Sequence, residues 1–187
     1  MVIFRKRVAG LSEPALARFV KQACASAGVK GAVNVLVTGN RELRVLNSRF
    51  RKKDMTTDVL SFPPIPGLSN EFAGDVAIST ETANRNARQL GHSAAQEIKI
   101  LALHGILHLA GYDHEHDRGQ MARKETQLRR LFSLPDALIE RSLPFRGLAG
   151  KRRHRLRFDK VRRGVRKSAG EGPIRLRSGQ VRATPPR

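Results

Sequence analysis

The stretch HGILHLAGYDH, residues 104–114, is the part of the sequence that most constrains the fold. It overlaps the apolar segment 93–110, which predicts one long and deeply buried helix. Residues four apart lie one above the other on a helix, about 6 Å apart along its axis, so His104 and His108 share one face. Gly111 follows three residues later and predicts a left-handed turn at which the helix ends.

A turn at Gly111 brings a third histidine, His114, back towards the helix. Together with His104 and His108 it completes the pattern His-x3-His-x5-His. Three neutral imidazoles with an open fourth position are typical of catalytic zinc, whereas structural zinc sites are usually closed and rich in cysteine. Three imidazoles also suit nickel, cobalt or copper. We therefore expect one zinc ion, with other divalent transition metals as alternatives, and the spacing disfavours three unrelated histidines.

The same spacing occurs in a group of zinc peptidases, which carry a glutamate directly after the first histidine as the general base. This chain has Gly105 at that position, so the sequence does not favour a peptidase. Glycine inside a helix costs about 1 kcal/mol relative to alanine, and we expect Gly105 to permit close approach of another segment or of substrate. Asp113, beside His114, is the candidate catalytic residue for proton transfer, and orienting a metal ligand is its alternative role.

The rest of the chain predicts an α+β fold, in which a small mixed four-stranded sheet is flanked by about five helices. Alternating and β-branched residues predict the strands, and caps with amphipathic spacing predict the helices. The predicted strands cover residues 2–8, 32–38, 58–62 and 74–79. The predicted helices run from the Ser12 cap to Gly28, from the Asn40 cap through Phe50, over 80–90, 93–110 and 117–132, and briefly after Pro135.

The charge of the chain is strongly basic and unevenly distributed. The net charge is +20, and residues 1–140 hold 20 basic and 14 acidic residues while residues 141–187 hold 16 and two. We expect a domain at 1–145 and a basic, disordered tail at 146–187 that is poor in apolar residues. Such a tail is attracted to polyphosphate backbones, and a solvated tail without a defined partner is the alternative.

Two further features bear on the cellular compartment. A single cysteine, Cys24, excludes an intramolecular disulfide and is typical of a reducing compartment. The sequence has no run of 18 apolar residues, and its first residues lack the pattern of a secretory signal. We therefore expect a cytoplasmic protein without a membrane partner.

Three blocks of the sequence together resemble the YbeY family of bacterial endoribonucleases. They are NSRFRKKDMTTDVLSFP at 47–63, GDVAIS at 74–79 and the histidine stretch at 104–114, and the resemblance covers about residues 30–132. It implies a metal-dependent hydrolase specific for single-stranded RNA, which acts in 3′-end maturation of small-subunit rRNA and in ribosome quality control. The implied partners are rRNA and the ribosome or small-subunit proteins. The alternative function is a ribosome-assembly RNA-binding factor with a structural metal site.

The resemblance also implies roles for single residues. The implied metal ligands are His104, His108 and His114, and the implied catalytic residue at the phosphate is Arg51. Chemistry supports Arg51 separately, because a guanidinium can hold two phosphoryl oxygens and keeps its charge at any relevant pH. We predict that Arg51 opens a polar loop over residues 51–57, and an ordinary basic surface loop is the alternative interpretation.

Overall fold

The computed structural model describes residues 1–65, 71–114 and 116–135. Within these parts of the chain the fold contains four strands and five helices. The strands are β1 (Val2–Phe4), β2 (Ala32–Thr38), β3 (Val59–Phe62) and β4 (Phe72–Ser79). The helices are α1 (Glu13–Ala27), α2 (Asn40–Arg51), α3 (Thr80–Leu90), α4 (Ala94–Leu109) and α5 (Gln120–Leu131). Among these residues, no helix is both long and apolar enough to cross a membrane.

The four strands form one sheet in the order β1-β2-β4-β3. The pairs β1–β2 and β2–β4 are parallel, and β3 runs antiparallel to β4. The predicted mixed sheet and the α+β class are therefore confirmed. The register places Val76 of β4 opposite Val35 of β2 and opposite Ser61 of β3. Because directly opposite residues share a face of the sheet, these three side chains point to the same side.

Helix α4 packs against this face of the sheet and forms the centre of the core. Six of its large apolar residues are fully buried: Ile98, Ile100, Leu101, Leu103, Ile106 and Leu107. Helix α2 lies on the opposite face, where Leu43 packs with Leu60 and Ala77 in a smaller cluster. The sheet therefore separates α2 from α4, and the residues at the end of α2 reach the histidine helix only around the β3 edge.

Local sequence signals set the ends of α1 as predicted. The Ser12 hydroxyl accepts the Ala15 N–H at 3.4 Å as the N-cap. Gly28 adopts φ +78° at the other end, where a left-handed residue allows its N–H to bond back to the last turn. For α2, the sequence predicted Asn40 as the N-cap. Asn40 is instead the first residue of the helix, and Gly39 is the N-cap.

The first strand is shorter than predicted. It ends at Phe4, whereas the sequence predicted a strand through Val8. Phe4 pairs with Val37, and β2 itself ends one residue later at Thr38. The register therefore leaves only Thr38 opposite Arg5 and carries the residues after Arg5 beyond the end of their partner strand.

Helix α5 begins three residues later than predicted, and its first turn is held by an aspartate. The Asp117 carboxylate accepts the backbone N–H groups of Gly119, Gln120 and Met121 at 2.6, 3.0 and 2.7 Å. These are donors that a helix start leaves without intrahelical partners. Asp117 therefore stabilises the start of α5 from outside the helix and is not its first residue.

The predicted division into two parts reaches beyond the described residues. The domain predicted at 1–145 is described up to residue 135, apart from the gaps at 66–70 and 115. The short helix predicted after Pro135 and the tail at 146–187 lie outside the described residues. Both stay predictions.

Candidate metal centre

Three histidine side chains meet at the carboxyl end of α4. His104 and His108 lie one helical turn apart, and their Nε2 atoms are 3.2 Å from each other. Gly111 has φ +88°, the left-handed conformation expected of it, and the chain then returns to His114. The ring centroid of His114 lies 5.4 Å from that of His104 and 5.2 Å from that of His108. The three candidate ligand atoms lie within 4.8 Å of one another, so they can bind a single metal ion.

Two buried charged residues of α5 fix the orientation of His104. Glu125 is fully buried, and its Oε2 lies 3.1 Å from Nδ1 of His104. Its Oε1 lies 2.7 Å from Nη2 of Arg129, which is also buried. A carboxylate that accepts the proton on Nδ1 leaves Nε2 unprotonated. Glu125 therefore favours the tautomer of His104 that presents a lone pair to a metal.

The electrostatics of the cluster favour a neutral imidazole at His108, the form that binds metal. Burial, followed by the neighbouring rings of His104 and His114, lowers the pKa of His108 to about 4. The Asp113 carboxylate and a hydrogen bond with the Tyr112 backbone oppose that shift only in part. The buried Nδ1 of His114 has no hydrogen-bond partner within the described residues. A cluster of three imidazole nitrogens fits a divalent transition metal.

The three histidines line a cavity of about 510 Å³. Its remaining lining residues come from α2, β3, α3 and the segment before β3: Arg51, Thr57, Asp58, Val59, Ser61, Asn86, Gln89 and Leu90. Arg51 therefore shares one cavity with the imidazoles. The predicted polar loop at 51–57 is wrong at its first residue, because α2 continues through Arg51 and ends at Lys52, which adopts φ +58°.

The structure places the candidate Asp113 away from this cavity. Its Oδ2 lies 2.6 Å from Nδ1 of His116. Among the described residues, Asp113 lines a separate groove together with Asp117 and is not one of the residues that line the histidine cavity. Asp58 does line the cavity, and its Oδ1 accepts the Val59 N–H at 2.9 Å. A role for Asp113 in proton transfer stays a prediction, and among the described residues Asp58 is the carboxylate that lines the histidine cavity.

Close packing against the sheet explains why a glycine stands at position 105, a question that the sequence left open. A Cβ atom at this position would lie 2.7 Å from Cγ1 of Val76 and 3.0 Å from Oγ of Ser61. The Ser61 hydroxyl donates to the Gly105 carbonyl at 3.2 Å. The other segment that approaches Gly105 is therefore the β3–β4 part of the sheet. A glutamate at position 105 would collide with Val76 and Ser61 of that sheet.

Sequence comparison covers nearly all of the described residues. The family Endoribonuclease YbeY matches residues 3–133. The chain belongs to the YbeY family. The Endoribonuclease YbeY of Koribacter versatilis is 52% identical over 155 residues, 83% of this chain and 100% of that protein. The Endoribonuclease YbeY of Solibacter usitatus is 50% identical over 141 residues, 75% of this chain and 92% of that protein. A solution structure from Thermotoga maritima is 27% identical, with 81% of this chain and 100% of that chain covered and a TM-score of 0.48.

The segment matched to the YbeY family includes two buried glutamates that the sequence analysis missed. Glu97 is fully buried, with Oε2 2.6 Å from Nε2 of His92, and its Oε1 accepts from Nδ2 of Asn86 at 3.3 Å. Asn86 lines the cavity, so Glu97 orients one side chain of its wall. Both glutamates had a detectable signal, because an acidic residue on a buried helix face requires a partner. Glu97 lies in the apolar helix, and Glu125 follows the buried Met121 by one turn.

Proposed function

We propose that this chain is a zinc-dependent endoribonuclease that hydrolyses single-stranded RNA. Membership of the YbeY family supports the coarser statement, an endoribonuclease and therefore a phosphodiester hydrolase with RNA as its substrate. The observation that carries the finer proposal is the shared cavity, in which the Arg51 guanidinium and three imidazoles face one space. An anion clamp beside a three-nitrogen metal site is the combination that phosphodiester hydrolysis requires.

In this proposal the chain contributes three actions. His104, His108 and His114 hold the metal, and Glu125 keeps the first of these rings in the correct tautomer. A bound divalent ion supplies Lewis acidity and activates water. Arg51 donates two parallel hydrogen bonds to the phosphoryl oxygens and stabilises the negative charge that develops on them.

The openness of the site supports catalysis over a structural role for the metal. A structural zinc site is closed by four protein ligands. Here the described residues supply three histidines that border a cavity of about 510 Å³, which leaves space for water and a phosphodiester. The alternative, a ribosome-assembly RNA-binding factor with a structural metal, predicts RNA binding that does not depend on this space.

The biological setting is also a proposal. We place the activity in the cytoplasm, at the 3′ end of small-subunit rRNA and in ribosome quality control, with the ribosome or small-subunit proteins as partners. The resemblance of the three sequence blocks to the family supports this setting, and the net charge of +20 is consistent with a polyanionic partner.

The test compares cleavage of single-stranded and duplex RNA by the zinc-loaded chain and three variants. We expect His108→Ala to lose metal, measured by elemental analysis, together with activity. We expect Arg51→Ala to keep its metal and to lose about 10²–10³-fold in kcat/KM, the usual cost of removing one preorganised donor to a transition state. Lys53→Ala, which removes a nearby cation outside the cavity, is the matched control. Single-stranded RNA left intact by zinc-loaded wild type refutes the proposal.

The same assay separates the two carboxylates that could handle a proton. Asp58→Asn and Asp113→Asn each remove one acid without changing its size. If Asp58 takes the proton, only the first variant loses the acidic limb of the pH–rate profile, because a general base must be unprotonated to act. Equal profiles for Asp58→Asn and wild type exclude Asp58 and leave Asp113 as the candidate.

A further inference from the structure

A second, larger cavity lies on the face of the sheet that α2 covers only in part. It is a groove of about 880 Å³ whose walls include Ile3, Leu36, Phe50, Phe62, Ile65 and Phe72. Phe50 is 58% exposed and Ile65 69% exposed, so the groove presents apolar side chains to solvent. Exposed aromatic surface that is contiguous with a functional site is characteristic of ligand binding.

The groove adjoins the histidine cavity at the β3 edge of the sheet. Arg51 and Ser61 line both the histidine cavity and the groove. A phosphodiester that is held by Arg51 therefore lies at the border of the two, and its neighbouring nucleotides can extend into the groove. This step rests on the proposed function, since it takes the bound chain to be RNA.

The chemistry of the groove matches nucleobases better than phosphates. Phe50 and Phe62 pack edge to face with ring centroids 5.1 Å apart, and the Arg49 guanidinium carbon lies 5.5 Å from the Phe50 centroid. Unpaired bases stack on such aromatic and guanidinium surfaces. The groove also holds Asp75, whose Oδ1 accepts from Nδ2 of Asn34 at 3.0 Å. A carboxylate repels a phosphate, but it accepts hydrogen bonds from base amino groups.

We propose that this groove is a base-stacking subsite for the one or two nucleotides next to the cleaved phosphodiester, with Phe50 as its main stacking platform. A base can enter only when it is unpaired and free of its neighbours. The groove thereby gives a physical basis for selecting single strands over duplexes, which the metal and Arg51 alone do not provide.

The experiment measures how strongly the full, zinc-loaded chain prefers bases over bare backbone. Fluorescence anisotropy at low temperature compares a labelled single-stranded RNA hexamer with an abasic hexamer of equal charge, and a gel checks that both stay intact. We expect wild type to bind the RNA about tenfold tighter than the abasic chain, as one stacking contact provides. Phe50→Ala should bring that ratio close to one, and Phe50→Trp should restore it.

The control is Val45→Ala, which removes an exposed apolar side chain of the same helix outside the groove, and it should keep the wild-type ratio. If the tenfold preference for RNA over the abasic chain survives in Phe50→Ala, the subsite proposal is refuted. The same result is expected if the groove is the binding site of another protein. If Phe50→Ala cleaves RNA at the wild-type rate and keeps the wild-type ratio of RNA to abasic binding, only the subsite proposal is refuted. Lack of RNA cleavage by wild type, with a base preference that depends on Phe50, refutes the nuclease proposal alone.

Discussion

Replacing Glu125 by glutamine should weaken metal binding, although it changes none of the proposed metal ligands. The carboxylate of Glu125 lies between Nδ1 of His104, 3.1 Å away, and Nη2 of Arg129, 2.7 Å away. Glutamine keeps the size of the side chain but removes its negative charge and can present an amide N–H towards the ring. His104 then loses the acceptor that holds its proton on Nδ1, and the tautomer with a free Nε2 loses its preference.

The size of the effect follows from the burial of all three side chains. Outer partners of metal-bound histidines are worth about 10–100-fold in metal affinity, or roughly 1.4–2.7 kcal/mol. The metal-free protein should also lose stability, because Arg129 is 2% exposed and its charge loses a buried anionic partner. Breaking a buried ion pair costs about 3–5 kcal/mol, and we expect about 3 kcal/mol because the glutamine oxygen still accepts a hydrogen bond.

The assay is a competitive zinc titration against a chromogenic chelator, together with urea unfolding of the metal-free chain. The matched control is Asp54→Asn, the same chemical change at an exposed carboxylate that pairs with Arg44 at 2.7 Å. An exposed pair is worth about 0–1 kcal/mol, so this control should bind zinc as wild type does. A folded Glu125→Gln variant whose zinc affinity stays within twofold of wild type refutes the argument that Glu125 positions His104.

Three further predictions concern packing and protonation. Gly105→Ala should destabilise the chain by about 1–3 kcal/mol in urea, because overpacking against Val76 outweighs the better helix propensity of alanine, and an unchanged midpoint contradicts this. The pKa of His108 falls to about 4 in the folded chain from 6.5, so the unfolded chain binds more protons between these values. Stability of the metal-free chain should therefore decrease as the pH falls through that window, as melting curves at a series of pH values would show. If the stability of His108→Asn depends on pH equally steeply, His108 is not the cause. Glu97→Ala should cost about 1–3 kcal/mol in chemical unfolding, because it leaves the buried side chain of His92 without its hydrogen-bond partner, and a loss below about 0.5 kcal/mol shows that this contact is not needed.

The part of the site that could be predicted from sequence follows from local rules. The four-residue spacing of His104 and His108 fixes a shared helix face, and Gly111 adopts the left-handed turn because glycine has no Cβ to oppose it. The alternating, Val-rich pattern of β2 likewise predicted a strand, because alternation reports the burial of one strand face. These features depend on residues close in sequence, where the physical constraint is independent of the rest of the fold.

The remaining parts of the site depend on contacts between distant segments. Glu125 lies 21 residues after His104, and only the packing of α5 on α4 brings them together. Asp113 is beside a proposed ligand in sequence, but the turn after Gly111 directs its carboxylate to His116. Proximity in sequence therefore does not fix which partner Asp113 meets, because the backbone turn sets the direction of its side chain.

Gly105 links the two kinds of information. The sequence showed an unfavourable residue in the middle of a helix, and the structure supplies the reason, contact with β4 through Val76 and with β3 through Ser61. Ser61 also lines the histidine cavity, so the close approach at Gly105 holds the histidine helix against one of the residues that form that cavity. A larger residue at position 105 would push α4 away from β3 and β4 and shift the imidazoles relative to Ser61. The absence of a side chain at this position therefore contributes to the placement of the three histidines as well as to the packing of the core.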